Sequence, residues 1–112
     1  MQINNLDPPK FRAMFKTTAS DVLLIDVRTP EEFTNYSLPN AININYLGDE
    51  FWDQIEALNP ENTYLVYCRT GRRSLRACTL MKNGGFNKEK IFNLDGGIVA
   101  WETEFGPLLP KD

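Results

Sequence analysis

Short apolar runs that alternate with helix-start signals constrain the fold more than any other feature of the sequence. Four runs have the length of a β-strand and lack clean polar alternation; they are residues 22–25, 41–44, 64–67 and 91–94. Such runs are typical of strands buried on both faces of a sheet. Residues 1–3 are predicted to add a weak edge strand.

Helix signals lie between these runs. Asp7 stands before Pro8 as an N-cap, and residues 29–32, Thr-Pro-Glu-Glu, form a capping box. Further helices are predicted over residues 51–58, 74–82 and 97–104, the second closed by a left-handed cap at Asn83-Gly84-Gly85. Strands and helices in alternation predict a parallel α/β sheet with helices on both faces, which binds ligands at the carboxyl ends of its strands.

Length and composition limit both the architecture and the chemistry. A chain of 112 residues is expected to form a single domain over residues 1–112. It has no His, which excludes Ser-His and Cys-His catalysis and His-ligated metal sites. Two Cys are too few for a four-thiolate zinc site or a disulfide-stapled scaffold. We therefore expect no metal site, and free thiols in a reducing compartment.

The same composition bears on location and partners. No apolar run approaches the roughly 18 residues of a membrane span, and the first ten residues do not resemble a signal peptide. We expect a cytoplasmic protein that does not associate with membranes. A net charge of −3 argues against a nucleic-acid binder. Arg69, Arg72 and Arg73 nevertheless place three positive charges within five residues, which predicts a local anion site on an acidic body.

The segment after the third run carries the strongest chemical signal. Cys68 is predicted to end a central strand, followed by a short loop containing Gly71 and a helix that starts at Ser74. Loop amides, the helix dipole and the nearby guanidinium groups all favour a thiolate, so we expect a lowered thiol pKa. The alternative is that Cys68 is a small buried apolar residue, as most free cysteines are.

Two other classes of thiol chemistry do not fit the loop. A Cys-x-x-Cys redox pair is excluded because position 71 is Gly. A Cys-dependent phosphatase needs Arg six positions after Cys, but that position is Ser74 and Arg73 comes one residue early. The tighter loop suits a sulfur atom and a small anion better than a tetrahedral phosphoryl group.

The order of four sequence blocks resembles that of a single-domain rhodanese, a member of the sulfurtransferase family. The blocks are residues 24–33 (LIDVRTPEEF), 38–44 (LPNAINI), the Cys68 loop, and 93–101 (NLDGGIVAW), and the resemblance spans about residues 22–105. It implies a rhodanese-like α/β fold with a five-stranded parallel sheet and helices on both faces. It also implies transfer of sulfane sulfur, from thiosulfate or a similar small anionic donor to a thiol or cyanide, through a Cys68 persulfide.

The resemblance assigns roles within the loop from Cys68 to Arg73. Cys68 is the expected catalytic nucleophile, and no metal or organic cofactor is required. The expected donor-binding residues follow it, namely Arg69, Thr70, Gly71, Arg72 and Arg73. The chain departs from the family at residues 36–40, Tyr-Ser-Leu-Pro-Asn, where relatives usually carry Gly-His-Ile-Pro-Gly. Any role of that His is not carried over.

Several residues are expected to support this loop. Asp26 and Arg28 end the second strand, where they either pair to lock the loop or take part directly in the chemistry; Ser74 is a third supporting residue. Cys78 is expected to pack in the core, with a resolving thiol as the alternative. Residues 95–97, Asp-Gly-Gly, are expected to form a tight strand-to-helix turn rather than an anion cradle.

Three functions remain open at this point. The leading hypothesis is an enzyme acting on small sulfur donors, and a variant of it passes the sulfur to a protein thiol or sulfur-carrier protein. The alternative from another class is a non-catalytic interaction or regulatory module, since a fold alone does not fix function. A cysteine within an uninterrupted basic loop favours catalysis, because a binding module has no chemical need for a stabilised thiolate.

Overall fold

The sheet confirms the predicted parallel α/β architecture. The computed structural model describes residues 3–16 and 21–108. Its five strands, all paired in parallel, follow the order β1-β5-β4-β2-β3. They are β1 (Asn4–Leu6), β2 (Val22–Asp26), β3 (Ile42–Asn43), β4 (Thr63–Tyr67) and β5 (Ile91–Leu94). Strand β4 lies at the centre, so the residue that follows it emerges in the middle of the carboxyl edge.

The described residues also form five α-helices and one short 3-10 helix. They are α1 (Pro8–Phe15), α2 (Pro30–Asn35), α3 (Phe51–Glu56), α4 (Arg72–Asn83), the 3-10 helix Lys88–Lys90, and α5 (Gly97–Phe105). Helix α3 ends two residues earlier than predicted, and α4 begins two residues earlier because Gly71, with φ of 95°, provides the N-cap. The 3-10 helix was not predicted.

Two strand predictions need correction. The edge strand predicted at residues 1–3 is found at Asn4–Leu6, and residues 1 and 2 lie outside the described residues. The run at 41–44 forms only the two-residue β3, whose residues Ile42 and Asn43 pair with Ile25 and Asp26 of β2.

The predicted caps are present. The Asp7 carboxylate accepts the Lys10 amide at 3.0 Å. Thr29 and Glu32 exchange side-chain and backbone hydrogen bonds in a full capping box. After α4 the left-handed residue is Gly85, with φ of 107°. These side-chain and glycine signals are local, which is why the sequence alone locates them.

Side chains of the central strand alternate between two cores. Tyr64, Val66 and Cys68 face the cluster that contains α3 and α4, whereas Leu65 and Tyr67 face the cluster that contains α1 and α5. All five are almost completely buried. The sheet is therefore covered on both faces, as near-continuous apolar strands require.

Among the described residues, no helix has the length and apolar character needed to cross a membrane. The same residues contain no group of three or more His, Cys, Asp or Glu side chains placed to hold a metal ion.

Candidate active site

Cys68 leaves the carboxyl end of β4 with its sulfur enclosed by hydrogen-bond donors. The residue is 1% exposed. Its Sγ accepts the Gly71 amide at 3.1 Å, the Ser74 amide at 3.4 Å and the Ser74 hydroxyl at 3.4 Å. All three donors belong to the loop after β4 or to the first turn of α4. The chain thus folds its own donors around the sulfur.

This enclosure favours the thiolate. Burial is the largest single influence on the pKa of Cys68 and raises it. Hydrogen bonds from the Ser74 hydroxyl and from the amides of Ser74, Gly71 and Thr70 together outweigh burial, so the pKa lies below that of an ordinary thiol. The lowered pKa agrees with the sequence prediction. Its main cause, however, is donation by amides and a hydroxyl rather than the three guanidinium groups.

Two amides near the start of α5 donate hydrogen bonds to the backbone of the active-site loop. The Ile98 amide donates to the Cys68 carbonyl and the Val99 amide donates to the Arg69 carbonyl, both at 3.0 Å. Because these carbonyls are held outward, loop amides remain directed at Sγ. Residues 95–97 do form a tight turn, with Gly96 and Gly97 at φ of 77° and 61°. The turn places the next two amides, those of Ile98 and Val99, against the loop. Sequence reasoning missed this contact, although the double glycine was a signal for close packing.

The backbone of Gly97 leaves no room for a side chain against the loop, which yields a testable prediction. A Cβ at Gly97 would lie 2.4 Å from the Arg69 carbonyl oxygen and 2.6 Å from that of Cys68. Gly97→Ala is therefore expected to displace the loop and raise the Cys68 pKa, measured by thiolate absorbance during a pH titration.

Gly106 supplies the matched control for that substitution. Its φ is 93°, yet a Cβ there would meet nothing within 4 Å. Gly106→Ala should lower the free energy of unfolding by about 1–3 kcal/mol through backbone strain alone and leave the Cys68 pKa unchanged. An unchanged Cys68 pKa in Gly97→Ala would show that α5 does not position the loop.

Arg73 is not a free cation, which distinguishes it from Arg69 and Arg72. Its two terminal nitrogens bind the two Glu32 carboxylate oxygens at 2.8 and 3.1 Å. Arg73 lowers the pKa of Glu32 to about 2, aided by hydrogen bonds from Thr29. Glu32 thus joins the α2 capping box to the α4 helix. Sequence reasoning assigned Glu32 only to the capping box.

The other loop side chains face solvent. Arg69, Thr70 and Arg72 are exposed, and within the described ranges neither Arg69 nor Arg72 forms an ion pair. Gly71 is buried, and a Cβ there would lie 3.3 Å from the Leu94 carbonyl oxygen in addition to adopting an unfavourable φ. The loop therefore presents two free cations outward while its backbone packs on β5.

Asp26 and Arg28 pair beneath the neighbouring strand end. Both are at most 1% exposed, and the Arg28 Nε and Nη2 atoms bind the Asp26 carboxylate at 2.7–3.1 Å. Arg28 also donates to the Tyr36 carbonyl, and its guanidinium carbon lies 5.9 Å from the Tyr67 ring centroid. The pairing that the sequence suggested is present, and it links β2, the chain after α2 and β4.

Cys78 lies in the core, as expected. It is completely buried in the same cluster as Cys68. Burial raises its pKa well above that of an ordinary thiol, and the negative charge on Cys68 adds to the shift. The two cysteines therefore differ in acidity: the surroundings of Cys68 lower its pKa, whereas those of Cys78 raise it.

A doubly covered parallel sheet that delivers a stabilised thiolate from its central strand into a six-residue loop defines a class, the rhodanese-type sulfurtransferases. The comparisons with known proteins agree. The Rhodanese-like domain profile matches residues 7–104, so the chain belongs to the rhodanese-like domain family.

Two relatives show how far the similarity extends. A sulfurtransferase of Allochromatium vinosum is 29% identical over 110 residues, covering 98% of both chains. Thiosulfate sulfurtransferase 18 of Arabidopsis thaliana is 34% identical over 96 residues, covering 75% of this chain and 69% of its own. Among solved structures, a rhodanese-like domain protein from Staphylococcus aureus superposes with a TM-score of 0.78 at 25% identity, covering 98% of this chain and all of its own. At the level of the family, the chain is a rhodanese-type sulfurtransferase.

Proposed function

We propose that this protein moves sulfane sulfur from thiosulfate, or a similar small anionic donor, to a thiol or cyanide through a persulfide on Cys68. The observation that carries the proposal is the set of three donors within hydrogen-bond distance of Cys68 Sγ. A relative that is named for thiosulfate supports the choice of donor. The proposed reaction has two half-steps, each a displacement at sulfur.

In the first half-step, the Cys68 thiolate attacks the outer sulfur of thiosulfate. A bond forms between Sγ and that sulfur as the sulfur–sulfur bond of the donor breaks, and sulfite leaves with the electron pair. In the second half-step, an acceptor thiolate or cyanide attacks the outer sulfur of the persulfide. Cys68 then leaves as thiolate, which returns the protein to its starting state without any other oxidant or reductant.

The loop supports both half-steps by stabilising negative charge on sulfur. Donors at Gly71 and Ser74 stabilise the attacking thiolate, and the same thiolate is the leaving group of the second half-step. Preorganised amides need no rearrangement as charge develops, which makes this kind of stabilisation effective in a buried site.

Because Ser74 stabilises the thiolate, its substitution is expected to change the pH dependence of persulfide formation. The rate of persulfide formation is expected to fall as pH drops through the lowered Cys68 pKa, because only the thiolate attacks. Ser74→Ala removes one donor to Sγ, so the pH profile should move to higher pH while the plateau at alkaline pH is retained. Stopped-flow measurement of sulfite release against pH tests this. An unshifted profile would show that the hydroxyl does not act on the thiolate.

Arg69 and Arg72 are proposed to attract the dianionic donor. Both side chains are exposed and unpaired in the described part of the chain, so each should contribute only about 0.2–1 kcal/mol. The double variant Arg69→Gln/Arg72→Gln is expected to lower kcat/KM for thiosulfate about tenfold, or ~1.4 kcal/mol, and to weaken the inhibition by salt.

Lys88 provides the control for that double variant, because it is exposed and precedes β5 at the opposite edge of the sheet. Lys88→Gln should leave thiosulfate kinetics unchanged. If the double variant keeps wild-type kinetics and salt dependence, these two arginines do not bind the donor.

Sulfite release without an acceptor tests the proposed function. Wild-type protein mixed with excess thiosulfate should release one sulfite per chain in a burst and then stop until a thiol or cyanide is added. This stoichiometry follows from a covalent intermediate on a single sulfur. Absence of the burst would contradict the proposal and favour a non-catalytic module.

A further inference from the structure

The positive charge of this chain is concentrated in one segment. Residues 62–83 contain five of the twelve Lys and Arg and none of the fifteen Asp and Glu. The five are Arg69, Arg72, Arg73, Arg76 and Lys82. Everything outside the segment is strongly acidic by comparison. The loop after β4 and helix α4 therefore form a positive surface on a negative body.

Part of this surface is a stripe along α4 that starts at the active-site loop. Residues at helical spacings of three and four lie on one face of a helix. Here they are Arg72, Leu75, Arg76, Thr79 and Leu80, which we call the α4 stripe. Leu75 and Leu80 are 38% and 42% exposed. Arg72 and Arg76 are exposed, and in the described part of the chain neither forms an ion pair.

The α4 stripe also borders a groove. Four of its members and Tyr46 line an open cavity of about 310 Å³, and Arg76 is the charged residue among them. Tyr46 follows β3, and its amide donates to the Val27 carbonyl at 3.0 Å. The groove therefore lies between α4 and the chain that follows β3, and it combines apolar walls with a guanidinium group.

We infer that the α4 stripe docks a protein that accepts sulfur, through an acidic surface carrying an apolar anchor side chain; the inference rests on the proposed function. Charge complementarity selects an acidic partner, because the cations of the stripe have no partner within the described chain. A small donor anion does not account for Leu75 and Leu80, nor for Arg76 one helical turn beyond the loop. Apolar anchors ringed by charge are instead a feature of protein interfaces.

Binding of a defined peptide tests the docking surface separately from the chemistry. The probe is a fluorescein-labelled peptide with one cysteine flanked by glutamates and two leucines, and its binding is followed by anisotropy. Arg76→Glu should weaken binding about tenfold, a typical effect for charge reversal at a complementary interface. Leu75→Ser/Leu80→Ser should weaken it about fivefold through lost apolar burial. Lys88→Glu, the same charge change at the opposite sheet edge, should have no effect.

Sulfur transfer supplies the second measurement. Arg76→Glu should slow transfer from the persulfide to this peptide but leave transfer to dithiothreitol within about twofold, because only the peptide engages the stripe. Equal binding of the acidic peptide and a lysine-substituted version would overturn the inference. A dimer that is seen by light scattering and is disrupted by Leu75→Ser would also overturn the inference, because a second copy of the chain would then cover the α4 stripe. If the wild-type protein transfers no sulfur to dithiothreitol, the proposed function is contradicted instead, whatever the peptide binding shows.

Discussion

Replacement of Cys68 by serine is expected to abolish thiosulfate-to-cyanide sulfur transfer. A serine hydroxyl is not ionised at neutral pH and cannot form a persulfide, so both half-steps lose their reacting atom. Removal of the nucleophile from a covalent enzyme costs orders of magnitude in turnover, and we expect a loss of at least about a thousandfold. Thiocyanate formation measures the loss. Circular dichroism should show an unchanged fold, since a hydroxyl oxygen can also accept the Gly71 amide.

Cys78→Ala is the matched control for that substitution. Cys78 is buried in the same cluster but has a raised pKa, so it is expected to remain a thiol and to carry no sulfur. This variant should lose some stability through a small cavity and keep turnover per folded molecule. Persistent activity in Cys68→Ser, or its disappearance in Cys78→Ala, would place the transferred sulfur elsewhere.

Among the substitutions proposed for this protein, Arg28→Met is expected to lower the free energy of unfolding the most. The Asp26 carboxylate is completely buried and would lose the guanidinium that neutralises it. Breaking a buried pair from one side costs about 3–5 kcal/mol, because the remaining charge stays desolvated. That is a large fraction of the roughly 5–15 kcal/mol that stabilises a typical domain. Urea unfolding, monitored by tryptophan fluorescence, measures the change.

The Arg73–Glu32 pair shows why burial decides this effect. Its side chains are 23% and 29% exposed, so water can take over solvation when one partner is removed. Arg73→Met should cost only about 1 kcal/mol, near the upper end for exposed ion pairs. Equal losses in the two variants would show that Arg28 contributes through its packing rather than through its charge.

Local signals made much of this fold predictable. The capping box at residues 29–32, the Asp7 N-cap and the strand at 91–94 each depend on neighbours within a few residues, and each lies where it was predicted. Strand β3 was predicted too long because the alanine and isoleucines at residues 41–44 fit a connecting segment as well as a strand. The burial of Cys78 was predicted from the general tendency of cysteine to be buried, and the structure confirms it.

Long-range contacts at the candidate site were not predictable in this way. The Arg73–Glu32 pair joins residues 41 positions apart, and no local pattern distinguishes that arginine from Arg72. Likewise, the amides of Ile98 and Val99 reach the loop only because β5 lies beside β4 in the sheet. The sequence therefore indicated which thiol is activated and named loop amides, the helix dipole and guanidinium groups as joint causes, but it did not rank them. In the structure the main donors are amides and the Ser74 hydroxyl.

The central claim is that Cys68 carries sulfur covalently, and intact-protein mass spectrometry tests it most directly. Wild-type protein incubated with thiosulfate and freed of excess donor should gain the mass of one sulfur atom. Cyanide or dithiothreitol should remove it, and Cys68→Ser should never acquire it. A wild-type protein that keeps its original mass, or a Cys68→Ser variant that gains sulfur, would contradict the account.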